Sequence, residues 1–363
     1  MKFRCERDVL VDALGTVGRA VSARGGSPVL SGLRFVLTGD QLVLTGSDLD
    51  LTISASLVVS GTEDGSAVIP AKLAADIVRS LEPGAVTVEA AGDEAHVSGG
   101  RSQFTVHLYP VDEFPQLPMP GGESVTLAAA ELAEGLRQVV PAASGDDSRP
   151  ILTGVLLAAE AGGLRLVATD SYRLAVRDLP GTTALREGQT VLVPSKALDE
   201  LARVLVADAE VTLVLGERDA SFQVGNFQLT TRLIEGEFPN YRGLIPSAQP
   251  NRLLVGRSAL IDAVRRVRLM AREATPVRLT LGSDSLELLA LTQDVGQASE
   301  SVDAKYEGAE LTVAFNPEYL LDGLDATSGD EVSLQTVDGL KPALLRSTDD
   351  EGFLYLLMPV RVS

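Results

Sequence analysis

The feature that most constrains this chain is internal: the sequence repeats itself three times. SPVLSGLRFVLTGDQLVLTGSDLDLTI, beginning at Ser27, lines up with SRPILTGVLLAAEAGGLRLVATDSYRLAV, beginning at Ser148. Both read as a proline, an apolar strand, a glycine turn, a second apolar strand and an Asp in a turn. Pro28 and Pro150 lie 122 residues apart, as do Asp48 and Asp170. A weaker third copy, TPVRLTLGSDSLELLALTQDVGQA, puts Pro276 a further 126 residues along. The second halves repeat as well. AVIPAKLAADIVRSL matches TVLVPSKALDELARVL, with Pro70 and Pro194 separated by 124 residues, and TVAFNPEYLLDGL follows with Asn316 at the proline position.

Near-equal periods imply a triplicated unit, and 363 residues exceed what one ordinary core organises. Each copy is predicted to run helix, strands, helix, strands. The first helices carry apolar residues at helical spacing: Val9, Leu10, Ala13, Leu14 and Val17; then Leu132, Leu136, Val139 and Val140; then Leu260, Ile261, Val264, Val267 and Leu269. The second helices are expected near Lys72, Lys196 and Pro317. Stretches such as VTVEAAGDEAHVSG alternate with period two and read as antiparallel hairpins. The expected fold is α+β, three similar domains in tandem over 1–120, 121–247 and 248–363, with boundaries in Pro/Gly-rich stretches.

The formal net charge is −19, which disfavours a tight groove binder of nucleic acid. It leaves room for a protein that holds DNA by topology, provided its cations gather on one face. Lys72 and Arg79 are seven residues apart on one predicted helix, and Lys196 and Arg203 are seven apart on its counterpart. Seven residues are about two helical turns, so each pair shares a face, with Leu73, Ile77, Val78, Leu198, Leu201 and Leu205 largely turned away. Arg137 and Arg19 come from first helices, and Arg265, Arg266, Arg268 and Arg272 from the third. Arg24 and Arg149 are assigned to the same surface. A charged helix face is ordinarily just solvated. Recurrence at matching repeat positions favours a shared surface that contacts phosphates and leaves the bases unread.

Cys5 is the only cysteine, so no internal disulfide and no cysteine-based zinc site is expected. The opening MKFRCERDVLVDALG lacks the apolar core of a signal peptide, and no apolar run approaches a membrane span. The expectation is a soluble cytoplasmic chain without membrane contact. His96 and His107 are the only histidines and fall in predicted strands. No nucleophile–base arrangement and no phosphate-binding GxxxxGK[ST] loop occurs. Asp48 and Asp170 are expected to bond turn backbone rather than to catalyse. The reading is a non-enzyme without metal or cofactor. A repeat-built protein scaffold that never touches DNA, and a hydrolase using Asp48 and Asp170, are the alternatives.

Five motifs in order carry a family resemblance: MKF at the start, LVATDSYRLAV at 166–176, LIEGEFPNYRGLIP at 233–246, FNPEYLLDGL at 315–324 and YLLMPVRV at 355–362. The chain resembles the bacterial replicative sliding clamps, the beta subunits of DNA polymerase III. The resemblance implies a homodimeric ring of head-to-tail subunits that encircles duplex DNA without reading sequence. Helices would line the hole and antiparallel sheets would lie outside. It also implies a pocket where the replicative polymerase, the clamp loader and repair polymerases dock a short linear peptide. The matching positions are Leu152, Thr169, Ser171, Tyr172, Arg173, Leu174, Pro239, Leu244, Leu356 and Met358, with Asn316, Tyr319 and Pro342 in a second part. The family's subunit interface maps onto Arg101, Phe104 and Val106 on one side and Leu269, Glu300 and Asp303 on the other. Family members often carry Gly and His where Ser171 and Tyr172 stand, and Gln103 replaces a common cation.

Overall fold

The computed structural model describes residues 1–21, 27–115, 120–160, 162–272 and 275–361. Arg24, one of the assigned cations, lies outside the described residues. Six α-helices occur among the described residues: α1 (Arg7–Val17), α2 (Ala71–Ser80), α3 (Ala129–Val139), α4 (Ser195–Ala202), α5 (Arg257–Val267) and α6 (Pro317–Ala326). They fall two to a repeat, at the positions the sequence indicated. In α1, Leu10, Ala13, Leu14 and Val17 form the buried stripe, while Val9 is exposed. In α5 the stripe is Leu260, Ile261, Val264 and Val267. The helix stops there, and Leu269 sits beyond it in a 3-10 turn, strongly exposed. At α6, Asn316 takes the place of a proline, and its Oδ1 accepts from the Glu318 and Tyr319 amides at 2.9 and 3.4 Å.

The chain divides into two compact units. The first comprises Met1–Ala130 and Glu200–Leu233. Its eight-stranded sheet runs Ser124–Ala128, Glu210–Leu215, Asp219–Val224, Phe227–Arg232, Leu51–Val58, Gln41–Ser47, Gly32–Thr38, Gly65–Pro70. The seam is Phe227–Arg232 against Leu51–Val58, with Leu229 opposite Ile53, so strands of the first and second repeats share one sheet. A five-stranded sheet in the same unit runs Ser60–Glu63, Lys2–Glu6, Ala85–Ala91, Glu94–Gly99, Ser102–His107.

The second unit comprises Glu131–Asp199 and Ile234–Ser363. Its twelve-stranded sheet begins Thr190–Pro194, Gly154–Glu160, Gly163–Thr169, Arg173–Pro180, Phe353–Leu357, Ala343–Ser347. It continues Glu331–Thr336, Asn251–Gly256, Gly296–Glu307, Ser285–Thr292, Val277–Leu281, Leu311–Phe315. Here the seam pairs Arg173–Pro180 with Phe353–Leu357, and Leu174 faces Leu356. Each unit therefore contains one sheet that joins successive repeats. All pairings are antiparallel, and apolar side chains alternate inward along the strands, as in Leu51–Val58.

The triplication also shows in the backbone. Among the described residues, three non-glycine positions have positive φ: Leu49 at 79°, Ser171 at 81° and Asp294 at 69°. Each follows the second repeat strand by the same offset, in the turn that carries Asp48, Asp170 or Gln293.

Candidate functional site: the Thr169–Arg173 turn and the apolar face beside it

The turn after strand Gly163–Thr169 is tied by its own side chains. Asp170 Oδ1 accepts from the Tyr172 and Arg173 amides at 2.9 and 3.0 Å. Thr169 Oγ1 donates to the Arg173 carbonyl at 2.6 Å and accepts from the Ser171 amide at 3.2 Å. Asp170 is thus a turn-former. Asp48 does the same in the first unit, accepting from the Asp50 and Leu51 amides at 3.1 and 2.7 Å.

Arg173 is the hub of the second unit. Only 9% exposed, it donates to Asp170 Oδ2 at 3.0 Å, to Asp322 on α6, to the Pro141 carbonyl at 2.5 Å and to the Tyr355 hydroxyl at 3.4 Å. Its guanidinium stands 4.4 Å from the centre of the Tyr319 ring, a cation–π contact. Tyr319 stacks on Tyr172 with ring centroids 6.2 Å apart. Tyr355 donates to the Tyr319 carbonyl at 3.0 Å. Burial raises the pKa of Tyr355, and burial followed by the Asp170 charge raises that of Tyr319, so both hydroxyls stay protonated. Sequence reasoning named Arg173 and Tyr319 but missed Asp322 and Tyr355. The signal was present: Asp322 lies three residues after Tyr319 on α6, and Tyr355 opens the last motif.

Beside this polar hub lies an apolar face. Val167, Leu174, Val176, Leu344, Leu354 and Leu356 form one buried cluster with Tyr241, and Phe238 and Ile245 pack against it. Met358 extends the edge, its amide donating to the Tyr172 carbonyl at 2.8 Å. Of the thirteen positions assigned to the pocket, Thr169, Arg173, Leu174, Leu356 and Leu152 are buried. Asn316, Tyr319 and Pro342 are half-buried. Ser171, Tyr172, Pro239, Leu244 and Met358 are exposed. Leu174 and Leu356 are therefore core residues beneath the surface, and the accessible apolar groups are Tyr172, Pro239, Leu244 and Met358. Arg149, expected from the sequence on the cationic surface, also braces the turn: it pairs with Asp146 at 2.9 Å and reaches the Asp170 carbonyl and Ser171 Oγ at 3.3 Å.

The family described as DNA polymerase III beta subunit matches along the whole chain, its N-terminal domain at residues 1–118, its central domain at 126–240 and its C-terminal domain at 242–361. The chain belongs to that family. The beta sliding clamp of Streptomyces coelicolor is 37% identical with 100% of both chains covered, and that of Bacillus subtilis is 31% identical over 99% of this chain and 100% of the relative. The crystal structure of the Bacillus subtilis sliding clamp superposes with a TM-score of 0.92 at 31% identity over 100% of both chains. A Pseudomonas aeruginosa sliding clamp bound to griselimycin gives 0.92 at 32%, again with 100% of both chains covered. The three tandem clamp domains with mixed helices and antiparallel sheets are those of this family.

Lys72 and Arg79 lie on the exposed side of α2, and Arg79 pairs with Asp76 at 3.6 Å. Ile77 and Val78 are buried as expected, but Leu73 is exposed and shares the cationic side. Lys196 is exposed on α4, whereas Arg203 falls one residue past that helix's end and lies 3.8 Å from Glu200. Arg137 is engaged: it pairs with Glu134 and donates to the Asp325 and Ala326 carbonyls at 2.7 and 3.1 Å, capping the end of α6. Phe104 is 36% exposed on Ser102–His107, which among the described residues pairs only with Glu94–Gly99. Arg101 is exposed beside it. Val106 is 4% exposed, so it belongs to the sheet's own core and cannot be a free contact residue. In the second unit, Gly296–Glu307 pairs with Ser285–Thr292, but Asn251–Gly256 takes only its last part, from Ala304. Among the described residues, that leaves an open sheet edge carrying Glu300 and Asp303. Glu300 is held by Arg266, which lowers the pKa of its carboxyl by hydrogen bonding.

Proposed function

We propose that the chain is one subunit of a homodimeric ring that encircles duplex DNA and holds the replicative polymerase on it, acting without catalysis, cofactor or sequence readout. The observation that carries this reading is the full-length match to three clamp domains in family order. Domain boundaries near residues 120 and 247 follow, and the work of such a ring belongs with the chromosome in the cytoplasm. Ring closure uses the two open sheet edges. Arg101 and Phe104 of one subunit meet Leu269, Glu300 and Asp303 of the next, each subunit supplying one edge in a head-to-tail contact. Lys72, Arg79, Lys196 and Arg203 face the phosphates. A short peptide ending in Leu and Phe docks over Tyr172, Leu244 and Met358, with Arg173 and Tyr319 fixing the polar side. Partner polymerases and the loader share this site.

Two measurements test the proposal. Loaded protein should stay on circular DNA and run off linear DNA with free ends, because topology rather than affinity retains it. Equal retention on both templates would sink the closed ring. Phe104→Asp should give monomers in sedimentation, since it places a charge in an apolar contact, while the fold survives because Phe104 is already partly exposed. A variant that remains dimeric would rule out this edge. Val106 is unsuitable for the test, because a charge there would break the sheet's own core.

A further inference from the structure

Helix α6 carries two members of the Arg173 hub, Tyr319 and Asp322, and its seat is close: a Cβ on Gly323 would stand 2.5 Å from the Tyr355 ring. Its far end poses an electrostatic problem. The last four carbonyls of a helix have no partner within it, and they carry the negative end of the helix dipole. Cations usually answer that charge, yet the last turn of α6 has no basic residue and adds the acidic Asp325. The donors come from elsewhere in the second compact unit. The Thr327 amide and hydroxyl donate to the Gly323 carbonyl at 3.0 and 2.7 Å. Arg257, the first residue of α5, donates to the Leu324 carbonyl at 3.1 Å. Arg137 of α3 donates to the Asp325 and Ala326 carbonyls at 2.7 and 3.1 Å. Its neighbour Gln138, which is buried, donates to the Ala326 carbonyl at 3.0 Å. Arg265 of α5 lies 3.4 Å from the Asp325 carboxylate.

We infer that Arg137 is a positioning residue of the peptide site: it fixes the end of α6 and so the place of Tyr319 and Asp322. The inference rests on the docking reading given above, and it departs from the expectation that Arg137 faces DNA. A phosphate contact needs a free edge of the guanidinium. Arg137 directs Nε and Nη2 to the two Glu134 oxygens at 2.8 and 2.6 Å, and Nη1 and Nη2 to the α6 carbonyls. Four of its five N–H groups are thus engaged. The hydrogen bond from Arg137 holds the Glu134 carboxyl below its ordinary range, so the acid stays charged and keeps the fork in place. About two helical turns separate Tyr319 from Ala326, so a shift at the end of α6 is carried to the hub.

The test uses the full chain labelled with 3-fluorotyrosine, the Tyr319 signal being assigned with Tyr319→Phe. Without any peptide, Arg137→Met should shift that signal, and Lys72→Met, which removes an exposed cation from α2, should not. The Arg137 side chain is 46% exposed, so the variant should fold, and thermal melts check that it does. Glu134→Gln, which loosens the fork without deleting it, should shift the signal the same way by less. An unmoved Tyr319 signal in both variants would overturn the inference. In calorimetry with the Leu/Phe peptide, Arg137→Met should weaken binding about fivefold, the middle of the range for a residue that acts without touching the ligand. In a Tyr319→Ala background the same change should weaken binding no further. An equal loss there would mean that Arg137 does not act through α6, and unchanged affinity in the single variant would also sink the inference. The salt dependence of DNA binding by the unloaded protein should be the same in Arg137→Met. A shallower slope would make Arg137 a phosphate contact and overturn its assignment to α6. Failure of the wild-type chain to bind the peptide would fault the docking reading alone, since the fluorine signal decides the tie between Arg137 and α6 by itself.

Discussion

The turns at Ser47–Leu51 and Thr169–Arg173 have the same construction and different consequences. In both, a hydroxyl at the first position accepts from the amide two residues on, at 3.1 Å for Ser47 and 3.2 Å for Thr169. In both, an Asp side chain accepts two amides, and the residue after the Asp has positive φ. The difference lies in the last two positions. The first turn has Asp50, paired with Arg232 at 3.5 Å, and Leu51, which enters the sheet core. The second has Tyr172, which stacks outward on Tyr319, and Arg173, which gathers Asp170, Asp322, Tyr355 and a carbonyl. The third copy shares the positive φ, at Asp294, and the first two share the hydrogen-bonded turn as well. The second copy places a buried cation and an exposed aromatic ring on it.

The strongest way to break this comparison is to make the second turn like the first. Arg173→Leu removes one partner of a buried ion pair and strands Asp170, and it should cost about 3–5 kcal/mol in urea unfolding. It should also abolish binding of the Leu/Phe peptide in calorimetry. Wild-type stability and affinity in this variant would mean that the two turns are equivalent and the hub is incidental. Next in size is Met358→Asp. It leaves the turn intact but charges the apolar edge, and it should lower peptide affinity by about 1.5–3 kcal/mol, the worth of one buried large side chain. The dimer should be unaffected, because the proposed contact edges lie elsewhere. Unchanged calorimetric affinity would move the docking face away from Met358.

How much of this was legible beforehand follows from where the information sits. The repeat was readable because prolines, turn glycines and turn aspartates recur at fixed offsets and each has a local reason to be there. The helices were readable from their stripes, although the stripe alone ran past α5 to Leu269, where a 3-10 turn releases the side chain to solvent. Val106 was misplaced for a related reason. Phe104 and Val106 are two residues apart and share a face of Ser102–His107, and alternation along the strand does not say how far the core beneath that face extends. Arg137 and Arg149 were read as DNA-facing cations; beside their local partners Glu134 and Asp146, they also reach the end of α6 and the Asp170 turn, segments distant in sequence. Long-range pairing of this kind leaves no local pattern. The positions expected in a peptide pocket came from family resemblance, and the structure adds which of them are buried and which exposed.

The smallest effect is the most discriminating about the shared turn itself. An L-residue at positive φ costs about 1–2 kcal/mol, because its Cβ crowds the following carbonyl, while glycine adopts the conformation freely but loses more chain entropy on folding. Ser171→Gly should therefore stabilise the protein by about 0.5–1 kcal/mol, reduced by loss of the 3.3 Å bond from Arg149 to Ser171 Oγ. Leu49→Gly should gain less, because Leu49 is 46% exposed and its remaining buried surface is forfeited. Asp294→Gly should be nearly neutral, since Asp enters the left-handed region more readily than Leu or Ser. Chemical denaturation of the three single variants gives the order directly. A loss at Ser171 with a gain at Leu49 would show that the second turn uses its serine for more than geometry. A loss at all three would mean that the positive φ carries no strain, and that the likeness between the turns ends at their hydrogen bonds.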